Sequence, residues 1–300
     1  MRAIQIIFEF DKKPDKPLEF IPLGDMHVGG LGCDEGHIKK YVEYIRRTGA
    51  YWWGMGDYIE AINYSDPRFD PTSVADWMDI ADMRNLPKIQ AQRFLDLMAP
   101  IANRCLFVLH GNHEESVAKH SHFDVGQHIA DSLLVPYLGY SGFVDLIFNY
   151  KPAGTKKGPS TSRRLFVHHG WGGGRMAGGK VNKVQGFLNG FDADDYFMGH
   201  VHDTVTLKTS RVGVKRCIGK LRITNPAIGA SWRTSEVVSK DHCFGLTGTF
   251  LKGALYAEMQ GYNPSFVGAI KYTVDPFWRA GSGQNKQSFT ALTDIGTLTL

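Results

Sequence analysis

Several features common in other classes of protein are absent from this sequence of 300 residues. No run of about 18 apolar residues is present, so we expect no membrane-spanning helix. Residues 1–11 alternate between apolar and polar and then carry charge, which predicts an opening strand and not a secretory signal. No repeat of fixed period and no low-complexity segment occurs, which argues against solenoids and fibres. We therefore expect a globular protein located in the cytoplasm.

Cysteine is scarce, and no pair has the Cys-x-x-Cys spacing of a structural zinc site. The four cysteines are widely separated in the sequence: Cys33, Cys105, Cys217 and Cys243. This separation argues against a disulfide framework and favours buried free thiols in a reducing compartment. An excess of one charge is also lacking, since 34 basic and 30 acidic residues give a net charge of +4. A dedicated duplex-binding protein usually carries a denser basic stripe, so charge suits an anionic substrate without indicating nucleic acid.

Short polar clusters are what the sequence does have, and each follows an apolar run that predicts a buried strand. The runs are Phe20 to Leu23, Tyr51 to Met55, Cys105 to His110, Leu165 to Val167 and Tyr196 to Met198. The clusters after them are Asp25-Met26-His27, Gly56-Asp57, Gly111-Asn112-His113-Glu114, His168-His169-Gly170 and Gly199-His200-Val201-His202. Because open α/β sheets place ligands beyond the carboxyl ends of their strands, we expect these clusters to meet at one edge.

The residue types in the clusters are those that bind metal. Imidazole and carboxylate suit divalent first-row metals, and the amide oxygen of Asn112 can complete a shell without adding charge. A carboxylate shared by two cations allows them to lie roughly 3.5–4 Å apart. Asp57 is the candidate for this bridge, because it comes from an inner member of the series.

The order D-x-H, G-D, G-N-H-[DE], H and G-H-x-H resembles the signature of the calcineurin-like metallophosphoesterase superfamily over residues 25–202. The resemblance implies an α/β fold, a four-layered α/β/β/α sandwich of two mixed β-sheets flanked by helices, in a single domain over 1–300. It implies two divalent metal ions, with Mn²⁺ preferred and Fe, Zn or Ni as alternatives. The glycine-rich loop and the C-terminal half are also similar to bacteriophage-encoded members.

The resemblance also assigns roles to individual residues. One metal would be held by Asp25, His27, Asp57 and His202, and the other by Asp57, Asn112, His169 and His200. His113 would bind no metal and would act on the substrate as an acid or electrostatic helper. One alternative stays open: the family pattern selects His169 before Gly170, and strand alternation would point His168 to the opposite face. The remaining histidines are interpreted as surface or structural, with His110 a second-shell candidate: His37, His110, His120, His122, His128 and His242.

A glycine-rich segment follows the fourth cluster. Gly174 to Lys180 matches the G-x-x-x-x-G-K part of a P-loop, but Val181 stands where that motif needs Ser or Thr to hold Mg²⁺. We expect these glycines to bring the backbone close to the metals. Arg175 or Lys180 would then be free to contact a non-bridging phosphate oxygen.

The rest of the pattern predicts alternating helices and strands. Helices are predicted at Glu35 to Thr48, Pro87 to Ala102 and Phe123 to Leu134. The portion 203–300 suits a second sheet, with strands at Val205 to Leu207, Leu221 to Thr224, Thr249 to Leu255, Val267 to Val274 and an edge strand at Phe289 to Leu300. The insertion 58–86 is either a wall of the substrate pocket or a surface excursion, and its candidates for the wall are Tyr58, Asn63, Tyr64, Arg68 and Trp77.

These observations predict a phosphoester hydrolase whose nucleophile is a hydroxide bridging two metals. Tyr58-Ile59-Glu60 lacks the Asp-Arg-Gly of Ser/Thr protein phosphatases, and Glu60 stands where purple acid phosphatases have tyrosine. The chain is therefore more similar to the phosphodiesterase and nuclease branch, acting on a small phosphodiester or a nucleic acid. A phosphomonoesterase of the same fold is an alternative. A binding module of this fold is the other, although such modules usually lose ligands.

Overall fold

The computed structural model describes residues 1–61, 71–79, 82–121, 123–151, 154, 158–174, 176–215, 222–233, 235–252, 266–279 and 289–300. The helices are α1 (Glu35–Thr48), α2 (Leu86–Met98), α3 (Asn112–Ser121), α4 (Val125–Leu133) and α5 (Ala177–Gly186). The strands are β1 (Arg2–Phe10), β2 (Leu18–Leu23), β3 (Tyr51–Gly54), β4 (Cys105–Val108), β5 (Ser141–Tyr150), β6 (Ser160–His168), β7 (Asp195–Met198), β8 (Thr204–Lys215), β9 (Arg222–Asn225), β10 (Ala230–Arg233), β11 (Glu236–Thr249), β12 (Gly268–Arg279) and β13 (Phe289–Leu298). Helices and a large mixed sheet together give a mixed α/β fold. Among the helices in these ranges, none combines the length and the apolar character needed to cross a membrane.

The strands fall into two groups. In the first, β2, β3 and β4 are parallel, and β12 and β13 extend them in antiparallel fashion from β2. In the second, β1 pairs with β5, β5 with β6, β6 with β7, β7 with β11 and β11 with β8. The groups are joined where Gly248 and Thr249 of β11 pair with Ala269 and Gly268 of β12. β9 and β10 form a separate pair.

Apart from the β9–β10 pair, the described strands after residue 203 extend the two groups and do not form the expected second sheet by themselves. β8 and β11 extend β7, whereas β12 and β13 extend β2. Alternating apolar residues identify a strand but carry no information about which neighbour it pairs with. The partner depends on long-range packing.

Both faces of the central strands are buried, and successive side chains enter different core clusters. Trp52 packs with residues of α1, α2 and α4, whereas the next residue, Trp53, joins a cluster that combines side chains of both strand groups. Similarly, Leu165 joins that shared cluster, and Phe166 packs with residues of α5 in a third. Burial on two faces explains why these strands have continuous apolar sequences.

Capping residues explain why α1 has the predicted limits. The carboxylate of Asp34 accepts a hydrogen bond from the backbone N–H of His37 at 3.0 Å, and Gly49 ends the helix in the left-handed conformation. The prediction for α1 is confirmed at both ends. The predicted second helix is interrupted, since α2 ends at Met98 and a 3₁₀ segment, Ala99–Arg104, continues the chain. Pro100 lacks the N–H group that an α-helix would use there.

Candidate metal centre

The polar clusters lie beyond the carboxyl ends of β2, β3, β4, β6 and β7, where the backbone turns sharply. In the described part of the chain, seven non-glycine residues have positive φ, and five of them are Asp25, His27, Asp57, His200 and His202, with φ between 48° and 68°. Such conformations are rare outside glycine and concentrate at functional sites. The local backbone thus directs these side chains toward one another at an energetic cost.

One group of side chains consists of Asp25, His27 and His202, whose ligand atoms all lie within 4.8 Å of one another. The Nε2 atoms of His27 and His202 are 3.2 Å apart, and Nε2 of His202 is 3.4 Å from Oδ1 of Asp25. Asp25 is fully buried and also accepts hydrogen bonds from the backbone N–H of His200. These contacts gather two imidazoles and one carboxylate around one point.

A second group consists of Asp57, His169 and His200, again with ligand atoms within 4.8 Å of one another. Nε2 of His169 is 3.3 Å from Oδ2 of Asp57 and 3.1 Å from Oδ1 of Asn112. The amide predicted as a ligand therefore lies with this group.

Asp57 belongs to a third group as well, with His27 and His113. Its Oδ1 accepts a hydrogen bond from the backbone N–H of His113 at 3.0 Å, while its Oδ2 faces His169. The rings of His27 and His113 are 4.5 Å apart between centroids. Asp57 thus lies between the first two groups, which is the position that a shared ligand requires.

Hydrogen bonds on the far nitrogens orient two of the imidazoles. Nδ1 of His27 is 3.0 Å from Oε2 of Glu60, and Nδ1 of His169 donates to the backbone oxygen of Met55 at 2.7 Å. With Nδ1 occupied, Nε2 of each ring is the atom that remains to bind a cation. Metal-binding histidines usually have such a partner, so this arrangement fits a metal site.

The electrostatics of the site arise from close packing of carboxylates and imidazoles. Burial disfavours the charged forms, yet His169, His113 and His27 together hold the pKa of Asp57 well below its usual value. Burial lowers the pKa of His27, but the hydrogen bond and charge of Glu60 outweigh it and raise the pKa to about 9. Asp57 similarly raises the pKa of His169 to about 10 against the effect of burial. The carboxylates of Asp57 and Glu60 therefore remain ionised at neutral pH.

One atom of the site lacks a partner. Within the described residues, Nδ1 of His200 is a buried polar atom with no hydrogen bond, and burial followed by the charge of His169 lowers the pKa of this imidazole. A buried polar atom without a partner is unfavourable unless a ligand satisfies it. Neutral imidazole is the form that binds metal, so His200 suits a divalent cation.

Glu114 is a buried residue of this candidate site, and its role was not predicted from the sequence. Its carboxylate is fully buried and accepts hydrogen bonds from the backbone N–H groups of Asp57, Tyr58 and Gly111 at 2.9, 2.8 and 3.0 Å, and from Ile59 at 3.4 Å. It therefore connects the turn that carries Asp57 to the turn that carries Asn112. Its place as the fourth residue of Gly111-Asn112-His113-Glu114 was the available signal.

The two histidines of the fourth cluster lie on opposite sides of the strand end. His169 is fully buried beside Asp57, whereas the ring of His168 stacks on Phe187, and its Nδ1 accepts a hydrogen bond from the N–H of Gly170. Burial lowers the pKa of His168 to about 4, with smaller contributions from His169 and His200. The geometry therefore favours His169 as the candidate ligand.

The cations predicted to contact substrate have different outcomes. Arg175 lies outside the described residues. Lys180 is buried in α5, and its Nζ is 2.6 Å from Oδ2 of Asp203, the residue after His202. The expectation of a free cation in a loop is corrected here, because the glycine-rich segment becomes helical from Ala177 and the lysine charge is already paired.

Within the insertion 58–86 the structure describes residues 58–61, 71–79 and 82–86, which include two of the candidates for a pocket wall. Tyr58 is a core residue and not part of a pocket wall, since its ring is fully buried 5.0 Å from that of Phe94 and its hydroxyl donates to the backbone oxygen of Leu109. Trp77 is half-buried beside the guanidinium of Arg93. Asn63, Tyr64 and Arg68 lie outside the described residues.

Among the remaining histidines, His110 is held by two side-chain contacts. Nε2 of His110 is 3.0 Å from Oε2 of Glu115, and its Nδ1 contacts the hydroxyl of Tyr137. The thiols of Cys33, Cys105 and Cys243 are free, and burial raises the pKa of each one. Neither set lies within the three groups of ligand atoms.

Comparison with known proteins adds little to this geometry. No protein-family model matches the sequence, and no curated protein is found to be similar to it. A solved structure from Streptococcus pneumoniae TIGR4, a conserved uncharacterized protein described as a predicted phosphoesterase, aligns over 95% of this chain and 100% of that chain, with 8% identity and a TM-score of 0.32. A TM-score this low supports no argument about function. The case for a metal site therefore rests on the three groups of histidine and aspartate ligand atoms in the described part of this chain.

Proposed function

We propose that this chain is a metal-dependent phosphoester hydrolase of the calcineurin-like metallophosphoesterase type, with a preference for phosphodiesters. The observation that carries the proposal is the position of Asp57, whose carboxylate approaches His169 on one side and belongs to a group with His27 on the other. A site for a single ion has no need of a shared carboxylate between two imidazole groups.

In this proposal Asp25, His27, Asp57 and His202 hold one divalent cation, and Asp57, Asn112, His169 and His200 hold the other. When bound, the two cations would activate a water molecule near neutral pH and neutralise charge on the phosphoryl oxygens. Mn²⁺ is the first candidate, because carboxylate and amide oxygens suit it, and the imidazoles make Fe, Zn or Ni the alternatives.

His113 is the proposed proton donor to the leaving oxygen. Its Nδ1 donates to the backbone oxygen of Glu60, so that Nε2 is the ring nitrogen left to face a substrate. Its backbone N–H donates to Asp57, which fixes the imidazole beside the proposed centre. General acid catalysis from such a position contributes about 10²- to 10⁴-fold to the rate.

The fold proposed for this function is the four-layered α/β/β/α sandwich. Three core clusters support it: one between the first strand group and α1, α2 and α4, one combining the two strand groups, and one beside α5.

The proposal is tested by turnover and metal binding together. Protein stripped with a chelator and reloaded with Mn²⁺ should hydrolyse bis(p-nitrophenyl) phosphate faster than p-nitrophenyl phosphate, and the stripped protein should hydrolyse neither. Single- and double-stranded DNA then distinguish a nuclease from an enzyme for small diesters. A faster monoester reaction would favour the phosphomonoesterase alternative. Two bound ions without turnover of any phosphoester would contradict the proposal and favour a binding module.

A further inference from the structure

One histidine of the first group lacks the support that its neighbour has. Nδ1 of His27 has a partner outside the three groups, the carboxylate of Glu60. For His202 the structure gives no hydrogen bond on Nδ1 within the described residues, and its ring meets His27 and Asp25, which are candidate ligands themselves. Its backbone is nevertheless held at φ of 55°. The position of this imidazole therefore depends on the backbone on either side of it.

Helix α5 is linked to the residues on both sides of His202. Val184 of α5 and Val201 are buried in the same core cluster. Nζ of Lys180, one helical turn before Val184, is 2.6 Å from Oδ2 of Asp203. Lys180 and Val184 are the buried residues of α5, and residues four apart lie on one face of a helix. A single face of α5 therefore holds the turn that carries His202.

Lys180 stands at a position of α5 where an apolar residue would be expected. It is 9% exposed, and among the described lysines it is the one that is buried. Taking an ammonium group out of water is unfavourable, and well-packed apolar side chains in place of a buried ion pair are often at least as stable. Overall stability therefore does not explain the pair with Asp203. What the pair supplies is a fixed position for the residue that follows His202.

The sequence of α5 makes these contacts more important. Three of its ten residues are glycine, the least favourable helix residue after proline: Gly178, Gly179 and Gly186. No side-chain hydrogen bond caps its first turn. Because local preference for a helix is weak here, the position of α5 against the turn depends on its two buried side chains.

We propose that Lys180 is a positioning residue for the metal ligand His202 and that it acts through Asp203. This role rests on the proposed function, which places a cation in the first group, and it names the residue that keeps one ligand of that cation in place. The lysine of the partial P-loop match, Gly174 to Lys180, thus serves the centre without contacting a phosphate. Loss of the ion pair frees the backbone next to His202, so the cation of the first group should bind less tightly while the cation of the second group is unaffected.

The test measures binding of Mn²⁺ to chelator-treated protein by isothermal titration in two backgrounds. His169→Ala leaves the side chains of the first group intact, and His27→Ala leaves those of the second group intact. Lys180→Met removes the charge but keeps an unbranched stem, and in the His169→Ala background it should raise the dissociation constant about tenfold or more. In the His27→Ala background the change should stay below about twofold. In the otherwise wild-type chain Lys180→Met should weaken one of two ions and spare the other.

A double substitution and a matched control separate positioning from stability. Asp203→Asn should weaken binding as Lys180→Met does, and the double variant should bind no more weakly than either single variant, because both changes remove one interaction. Lys240→Met is the control, since it breaks an ion pair of the same 2.6 Å length, with Asp194, outside the three groups. It should leave both dissociation constants unchanged. Urea unfolding of the chelator-treated double variant should give the wild-type midpoint.

The possible results distinguish this role from the proposed function. An unchanged dissociation constant for Lys180→Met in the His169→Ala background would overturn the role. Equal weakening in both backgrounds, together with a lowered urea midpoint, would also overturn it, since such a result indicates a general loss of structure. Wild-type protein that binds no Mn²⁺ would contradict the proposed function and the role together. Two ions bound with wild-type affinities in Lys180→Met would contradict the role alone.

Discussion

Replacement of Glu114 by alanine should destabilise the protein more than loss of any ion pair on its surface. The substitution leaves four backbone N–H groups without their acceptor, three of them at 2.8 to 3.0 Å. A buried donor that loses its partner costs about 1–3 kcal/mol. Water entering the space would satisfy some of these groups, so we expect a loss of about 3–5 kcal/mol. That is a large share of the 5–15 kcal/mol typical of folded domains.

Glu114→Gln is a more conservative version of the same test. Each carboxylate oxygen accepts from two N–H groups, Oε1 from Tyr58 and Ile59 and Oε2 from Asp57 and Gly111. In either orientation the amide NH₂ must face two donors, so about half of the alanine effect should remain although the shape of the side chain is kept.

The assay is urea unfolding of the chelator-treated protein, followed by tryptophan fluorescence, so that metal loss does not contribute. Glu43→Ala is the control, because Glu43 forms an exposed pair with Arg46, and its urea midpoint should match that of the wild type. A loss below about 1 kcal/mol for Glu114→Ala would refute the view that this carboxylate holds the two turns together.

The remaining predictions concern the centre and one remote carboxylate. Asp57→Ala should lower metal content from two ions per chain to less than one, and elemental analysis showing two retained ions would contradict the shared role. His169→Ala should lose one ion and His168→Ala none in the same measurement. His113→Ala should keep both ions but slow turnover about 10²-fold or more, with the largest effect on poor leaving groups; equal slowing for all leaving groups would argue against a proton donor. Burial opposes ionisation of Asp194, but the hydrogen bond from the backbone N–H of Arg164 and the pairing with Lys240 hold its pKa below the usual value. Asp194→Asn should therefore lower the free energy of unfolding above about pH 4. The difference from the wild type should vanish as the pH falls further.

The sequence predicts those elements whose physical causes are local. Helix α1 has a capping Asp34, an apolar face and a terminal Gly49, so both of its ends are correct. The ligand turns were located because each polar cluster interrupts a continuous apolar run. In these cases a few neighbouring residues contain the whole signal.

Elements whose causes are distant were missed. Helix α3 begins at Asn112 and buries Glu114 and His113, so polar residues occupy what would normally be an apolar face. Strand β11 was not predicted: the predicted strand Thr249 to Leu255 overlaps it only at Thr249, and residues 253–255 lie outside the described ranges. The first half of β11, Glu236 to Asp241, pairs with β8 in a mostly exposed ribbon and lacks a buried alternation. The pairing of Lys180 with Asp203 also joins residues far apart in sequence.

The conformation of the ligand residues unites these observations. Asp25, Asp57 and His200 adopt φ values that glycine would adopt at lower cost, and glycines directly precede all three. The chain therefore has glycine available at these turns but places the side chain of a proposed metal ligand at the strained position itself. Strain of this kind persists only where surrounding contacts enforce it. Here those contacts are the buried carboxylate of Glu114 behind Asp57 and the carboxylate of Asp25 behind the N–H of His200. Local preference alone would place these residues elsewhere, so the turns are explained by these long-range contacts and fit the metal-binding role proposed for the side chains.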